Sequence, residues 1–247
     1  MQRITYSLML TLVAVCFLSS GGCGNFASRG LNASGTRMFA QARYPEAIHQ
    51  FQQAVEKDPE NANSYYNLAC VYHQLAKTQQ NSGYWQQAED FYNRCLDHNA
   101  NHTDCYRALA VMLHEQGRTD ASFRLLQGWA DRDPVSPDPR IELARLCEET
   151  GRTDMAKVRL QEALALDAGN ARALTALGHL HEVEGNATEA VANYQRSLYA
   201  NRYQPQVAAR IASLSSQVPT GTSLIARPMI QPVGESRMAS RGSGTLR

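Results

Sequence analysis

An excess of charge of either sign is missing from this sequence. Its 247 residues carry 24 Lys and Arg against 23 Asp and Glu, a formal net charge of +1. A balance so near zero excludes a strongly basic nucleic-acid binder and a strongly acidic unfolded chain. Glycine and proline are scarce, at 16 and 9 residues, too few for a collagen-like or low-complexity protein. Catalytic signatures are missing too. There is no phosphate-binding G-x-x-x-x-G-K-[ST] loop, no G-x-G-x-x-G and no G-x-S-x-G elbow. Neither His114-Glu115 nor His181-Glu182 extends to the zinc motif H-E-x-x-H. The six Cys include no C-x-x-C and no zinc spacing. These absences point away from an enzyme and imply no cofactor, no resident metal, no small-molecule substrate and no nucleic acid.

What is present begins with an address. Arg3 precedes an apolar run of eleven residues, Leu8 to Leu18. A spanning helix needs about 20, so residues 1–22 read as an export signal, and nothing later in the chain is long enough to span. The run ends in Ser19-Ser20-Gly21-Gly22-Cys23. Small residues before Cys resemble the lipobox of bacterial lipoproteins, with Ser20 where Leu is usual. That resemblance implies lipid on Cys23 and, since Gly24 rather than Asp follows, an outer-membrane address on the periplasmic face. Ordinary cleavage near Gly22, leaving a soluble protein, is the alternative. Residues 23–27 read as a short linker.

The body repeats. Ala47-x-x-x-Phe51-x-x-Ala54 aligns with Ala88-x-x-x-Tyr92-x-x-Cys95, Ser122-x-x-x-Leu126, Ala156-x-x-x-Leu160-x-x-Ala163 and Ala190-x-x-x-Tyr194-x-x-Ser197. Units 28–61, 103–136, 137–170 and 171–204 are 34 residues long, and 62–102 carries seven extra. Seven is close to two helical turns, so a longer first helix or turn would absorb it. The eighth place (Gly35, Ala69, Ala110, Ala144, Gly178) and the twentieth are small in all five units, as two closely approaching helices require. Apolar spacings of three and four are helical, and Gly117, Gly151 and Gly185 stand where a first helix must stop. Residues 205–217, opened by Pro205, place Val207, Ile211 and Leu214 on one helical face. They read as a capping helix over the last unit. Residues 218–247 have no stable period, and their composition predicts a disordered tail. The tail carries four Arg against one Glu, and the apolar stretch Leu224-Ile225-Ala226 with Met229-Ile230 is a candidate docking motif.

Units 28–204 resemble the tetratricopeptide repeat (TPR) family, and with the leader the whole is similar to bacterial TPR lipoproteins. Two departures stand out: Trp129 where the family has a small residue, and Arg140 where it has an aromatic. Trp129 beside Gly128 is expected to fill the space that residue 140 leaves. The resemblance implies an all-α, right-handed solenoid of five helix pairs plus a capping helix. It also implies a protein or peptide partner held in a concave groove lined by the first helices.

Carried over place by place, that groove holds Tyr66, Cys70 and His73 in the second unit and Asp104, Arg107, Val111, His114 and Glu115 in the third. The fourth gives Asp138, Ile141, Arg145, Glu148 and Glu149, the fifth Thr175, His179, Glu182 and Val183, and the first Arg29 and Phe39. Six acids against three bases make it mildly acidic. The family's Lys, Asn and Arg clamp for a C-terminal carboxylate is missing: Asn67 is in place, but Asn32, Thr36, Asp104 and Ala108 occupy the other positions. The expected function is a non-catalytic envelope adaptor, of the kind that supports pilus, secretion or envelope-complex assembly. The alternatives are a soluble periplasmic co-chaperone, a regulator of an envelope enzyme, or a metal-handling protein using His73, His114 and His179. His98 and His102, four apart, would share a metal only on a common helix face.

The anchor is directly testable. Cys23→Ala should move the protein into the soluble fraction or leave the leader unprocessed, read by fractionation and by mass spectrometry of the N-terminus. An unchanged membrane fraction with unchanged mass would refute lipidation.

Overall fold

The computed structural model describes residues 20–215. The expectations for the leader up to residue 19 and for the tail from residue 216 lie outside the described residues, as does the Cys23 side chain. Among the described residues there are eleven α-helices and no strand. They form five pairs: α1 (Ser20–Ala40) with α2 (Tyr44–Lys57), α3 (Ala62–Gln79) with α4 (Ser82–His98), α5 (Thr103–Glu115) with α6 (Thr119–Arg132), α7 (Asp138–Glu149) with α8 (Thr153–Leu166), and α9 (Ala171–Val183) with α10 (Ala187–Ala200). A single helix, α11 (Pro205–Leu214), follows. Each helix packs on the next, and α1, α3, α5 and α7 also touch in succession, so first helices line one side of an all-α solenoid. No described helix is long and apolar enough to cross a membrane.

The pairing rests on the small places. Ala47, Ala88, Ser122, Ala156 and Ala190, at the twentieth place, are all completely buried. Four residues on, Phe51, Tyr92, Leu126, Leu160 and Tyr194 fill the space between the helices. At the eighth place there is no room for more. A Cβ on Gly178 would stand 2.7 Å from the Tyr194 ring, and one on Gly35 would stand 2.5 Å from the Phe51 ring.

The turns are built by two devices. Within repeats 3 to 5, Gly117, Gly151 and Gly185 take φ of 75°, 74° and 81°. The next residue's N–H then reaches back to a carbonyl of the helix just ended: Arg118 to Leu113 at 2.8 Å, Arg152 to Cys147 at 2.7 Å, Asn186 to His181 at 2.9 Å. This is the left-handed closure that glycine adopts without steric penalty. Between repeats, every second helix ends on Asp or Asn: Asp58, Asn99, Asp133, Asp167 and Asn201. The side chains of Asn99, Asp167 and Asn201 each accept the N–H two residues on at 3.1 Å, a local turn that stops the helix.

Three expectations are corrected. Residues 23–27 are no linker; with no Pro to interrupt them, they run on as part of α1. The seven extra residues of the second unit are shared, lengthening α3 to 18 residues and α4 to 17. Trp129 does not serve position 140; its ring lies flat on Tyr106 of its own repeat, centroids 4.3 Å apart and 7° from parallel. Arg140 does part of the aromatic's work instead. Tyr65 and Tyr106 donate their hydroxyls to turn carbonyls, Pro59 at 2.9 Å and Ala100 at 3.2 Å, and Arg140 donates Nη1 to the Ser136 carbonyl at 3.0 Å.

The last pair is closed by α11. Val207 and Leu214 are buried against Ala190, Val191 and Tyr194, with Leu198 and Ile211 alongside. Just before it, Gln204 donates to the Ser197 and Asn201 carbonyls at 3.0 and 2.8 Å. That ties the start of the cap to the end of α10.

Repeat 1 performs the left-handed closure without glycine. Ala42 sits at φ 57° and Arg43 donates to the Met38 carbonyl at 3.0 Å. An L-residue with a Cβ loses about 1–2 kcal/mol in this conformation, more than the roughly 0.5–1 kcal/mol of backbone freedom that glycine adds to the unfolded chain. Ala42→Gly should therefore raise stability by about 0.5–1 kcal/mol, seen as a higher urea midpoint at unchanged m-value. A lower midpoint would contradict the assigned turn.

Candidate functional site

The inner side of the stack is organised by a carboxylate that the groove positions of the sequence do not include. Glu142, at the sixth place of the fourth unit, is completely buried. Arg107 of repeat 3 donates Nε and Nη2 to its Oε1 at 3.0 and 2.9 Å. Arg145, one turn along α7, donates Nε to Oε2 at 3.1 Å. Arg172 of repeat 5 donates Nη2 to Oε1 at 2.5 Å. One carboxylate thus joins three successive repeats. Outer pairs extend the chain: Arg107 to Asp104 at 2.8 Å, Arg172 to Asp138 at 2.9 Å, and Arg145 to Glu149. Burial acts to raise the Glu142 carboxyl, but the hydrogen bonds and charges of Arg107 and Arg145 outweigh it and hold the group below its ordinary value.

Two concavities flank this network. The smaller, about 250 Å³, lies between α3, α4 and α5 and includes Tyr66, Cys70, His73, Tyr92, Arg107 and Glu115. Tyr66 stacks on His102 with centroids 5.1 Å apart. His73 Nε2 lies 2.8 Å from Glu115, and its Nδ1 lies 3.3 Å from the Tyr92 hydroxyl. Burial pushes the His73 imidazole below its ordinary value despite Glu115. It is therefore neutral at pH 7, with Nε2–H donating to the carboxylate and Nδ1 accepting from Tyr92. Lys77, not among the expected positions, donates to the same carboxylate at 2.7 Å.

The larger concavity, about 440 Å³, lies between α7 and α9. Ile141, Ala144, Leu160 and Leu180, all buried, form its floor, and Arg145, Arg172, Glu148, His179 and Gln204 also line it. Ile141, expected to face a partner, is only 6% exposed and is core as much as lining. Glu148 and His179 face each other at 3.4 Å across α7 and α9. Glu182 lies beyond, accepting from Tyr194 at 2.7 Å and from Arg210 of α11 at 2.9 Å. His114 does not join the groove; its Nδ1 lies 2.9 Å from Thr119 Oγ1, across the turn to α6.

The expected acidity of the groove is reduced. Lys77, Arg172 and Arg210 each reach an inner-face carboxylate. Among the described residues Glu148 pairs only with a histidine. Arg172 stands at a second place and was open to the same place-by-place reading. Glu142 had its own signal: three of the other units hold Ala at the sixth place, Ala33, Ala108 and Ala176.

The remaining candidates separate. His98 ends α4 and stacks on Tyr65 at 4.9 Å. His102 caps α5, its Nδ1 accepting from the Cys105 N–H at 3.1 Å, so the two share no helix face. His73, His114 and His179 each have a different partner. Among the described residues no three His, Cys, Asp or Glu group to hold a metal. Cys70, Cys95, Cys105 and Cys147 are free thiols. Asn67, the one clamp-like residue, donates to Asn32 at 3.0 Å.

Comparison with known proteins agrees with this architecture. A TPR repeat model matches residues 35–75, and tetratricopeptide repeat models match 64–104 and 141–205. The stretch between the matched ranges holds Trp129 and Arg140. No curated protein matches the chain in sequence. Among solved structures, a thermophilic TPR protein of Thermus thermophilus is 21% identical with a TM-score of 0.55, over 77% of this chain and all of that one. Pseudomonas aeruginosa pilF is 16% identical with a TM-score of 0.51, over 78% of this chain and 91% of its own. PilW, a type IV pilus biogenesis factor, is 14% identical with a TM-score of 0.50, over 77% and 91%.

The network generates a test. Removing a buried carboxylate from its arginines costs about 3–5 kcal/mol when the partners are buried too. Here the arginines are 28–46% exposed and rehydrate, so Glu142→Ala should cost about 2–3 kcal/mol at pH 7. Because the folded carboxyl is held below its unfolded value of 4.5, its contribution is complete above that value and lost as pH falls through the lower folded one. Unfolding midpoints of the parent and the variant should therefore converge on acidification below pH 4.5. A pH-independent gap would show that the ion network is not the source of the difference.

Proposed function

The chain belongs to the tetratricopeptide repeat family, and on that premise we propose that it is a non-catalytic scaffold holding a segment of a partner protein against the inner faces of α7 and α9. The observation that carries this is the apolar floor of Ile141, Ala144, Leu160 and Leu180 within a charged surround. Such a floor gains from burying side chains, and the surround fixes which segment is accepted. The family's repeats are interaction modules, and its members bind peptide or protein partners in this groove.

The finer proposal places the scaffold in a bacterial envelope, lipid-anchored at Cys23 on the periplasmic face of the outer membrane. Its support is the leader and the small residues before Cys23. A role in assembling pili, secretion channels or another envelope complex is drawn by analogy with the fold shared with the pilus biogenesis factor PilW. At 14% identity the likeness is one of fold.

Glu148 and Glu149 carry the test. Both are 37–38% exposed, and each pair they make is worth at most about 1 kcal/mol to folding. Reversing both to Lys should leave the helical circular dichroism intact. Affinity for a partner recovered by crosslinking should fall about tenfold or more, with a weaker dependence on salt. Unchanged affinity and salt slope would move the partner site to the convex face.

A further inference from the structure

The 440 Å³ concavity between α7 and α9 is lined in part by Gln204, which directly precedes α11, the last described helix. The ten residues of α11 span about 15 Å. From Ser215 to Leu224 there are nine residues, which reach at most about 30 Å. Residue 224 is therefore within reach of the concavity.

The segment at that reach is Leu224-Ile225-Ala226-Arg227-Pro228-Met229-Ile230. Four large apolar side chains flank one guanidinium. The concavity offers the complement: an apolar floor, and at its rim Glu148, whose partner is a histidine rather than Arg or Lys. Pro228 fixes φ and removes a donor, which suits a segment lying on side chains rather than joining a sheet. We propose that Leu224–Ile230 occupies the concavity between α7 and α9 of its own chain, with Arg227 against Glu148, as an intramolecular competitor of the partner. This rests on the same groove as the proposed function but needs no outside partner to be tested. It would make the scaffold selective: only a segment that binds better than the tethered one gains entry.

A tether of this length gives an effective concentration of about 1 mM, so a segment with intrinsic affinity near about 100 μM would weaken a competitor about tenfold. The first experiment places a benzophenone amino acid at position 225 of the full-length chain and maps the photoproducts. Crosslinks within one chain to α7 or α9 support the proposal. Crosslinks between two chains, to other helices, or none overturn it. The second titrates a fluorescent peptide spanning residues 220–232 into the full-length chain and into its Leu224→Asp/Ile225→Asp variant. The peptide should bind the variant about tenfold more tightly, and adding Glu148→Lys to the variant should abolish most of that binding. Equal affinity for both chains, or no binding to either, overturns the proposal. A stronger photoproduct at position 241 than at 225 would overturn the assigned segment.

Discussion

Two helices lie only as close as the side chains between them permit, and everything else in this chain follows from how that limit is met. At the twentieth place of each repeat a small side chain is completely buried, and the eighth place is kept equally small opposite it. The Tyr194 ring rests where a Cβ of Gly178 would be, and the Phe51 ring where one of Gly35 would be. Because the approach is the same five times, the pairs stack at a constant offset and their first helices fall into line. The inner face is a consequence of that alignment, and so is the open apolar end that α11 covers with Val207 and Leu214.

The inner face is also where the repeats cease to be equivalent. A carboxylate at the place where three other repeats have Ala is tolerated only because arginines from three successive repeats converge on it. Arg107 and Arg172 converge on Oε1 of Glu142 and Arg145 holds Oε2, and the side chain is buried from water. Such a group adds little net stability compared with a well-packed apolar residue, but removing one side of it is costly. Its effect is positional. It fixes the spacing of α5, α7 and α9, and the concavity with the apolar floor lies beside it. The other concavity, around neutral His73, is smaller and more aromatic. The groove therefore has distinct compartments rather than one uniform charge.

Much of this was legible in the residues because periodicity reports packing directly. Small eighth and twentieth places, and glycines at the helix ends, have one structural meaning in a helical repeat. The Asp or Asn closing every second helix was equally visible, at five equivalent places. What was not legible depends on side-chain direction. His114 and Glu115 are neighbours, yet one turns to Thr119 and the other to His73 and Lys77. Arg140 in place of an aromatic looked like a vacancy. It keeps a hydrogen bond to the inter-repeat turn, which no hydrophobic scale registers. Glu142 stands outside the expected groove positions, and two of its partners come from 35 and 30 residues away.

Fold and groove together make a scaffold whose proposed partner site lies on α7 and α9. The most direct measurement is hydrogen–deuterium exchange of the full-length protein, free and bound to a crosslink-identified partner, with side-chain footprinting on the same samples. Binding is expected to protect Arg145, Glu148 and His179 from footprinting and to slow exchange in α7 and α9, leaving the outer helices α6 and α8 unchanged. Protection confined to α6, α8 or α10, with the inner face as reactive as in the free protein, would contradict the account.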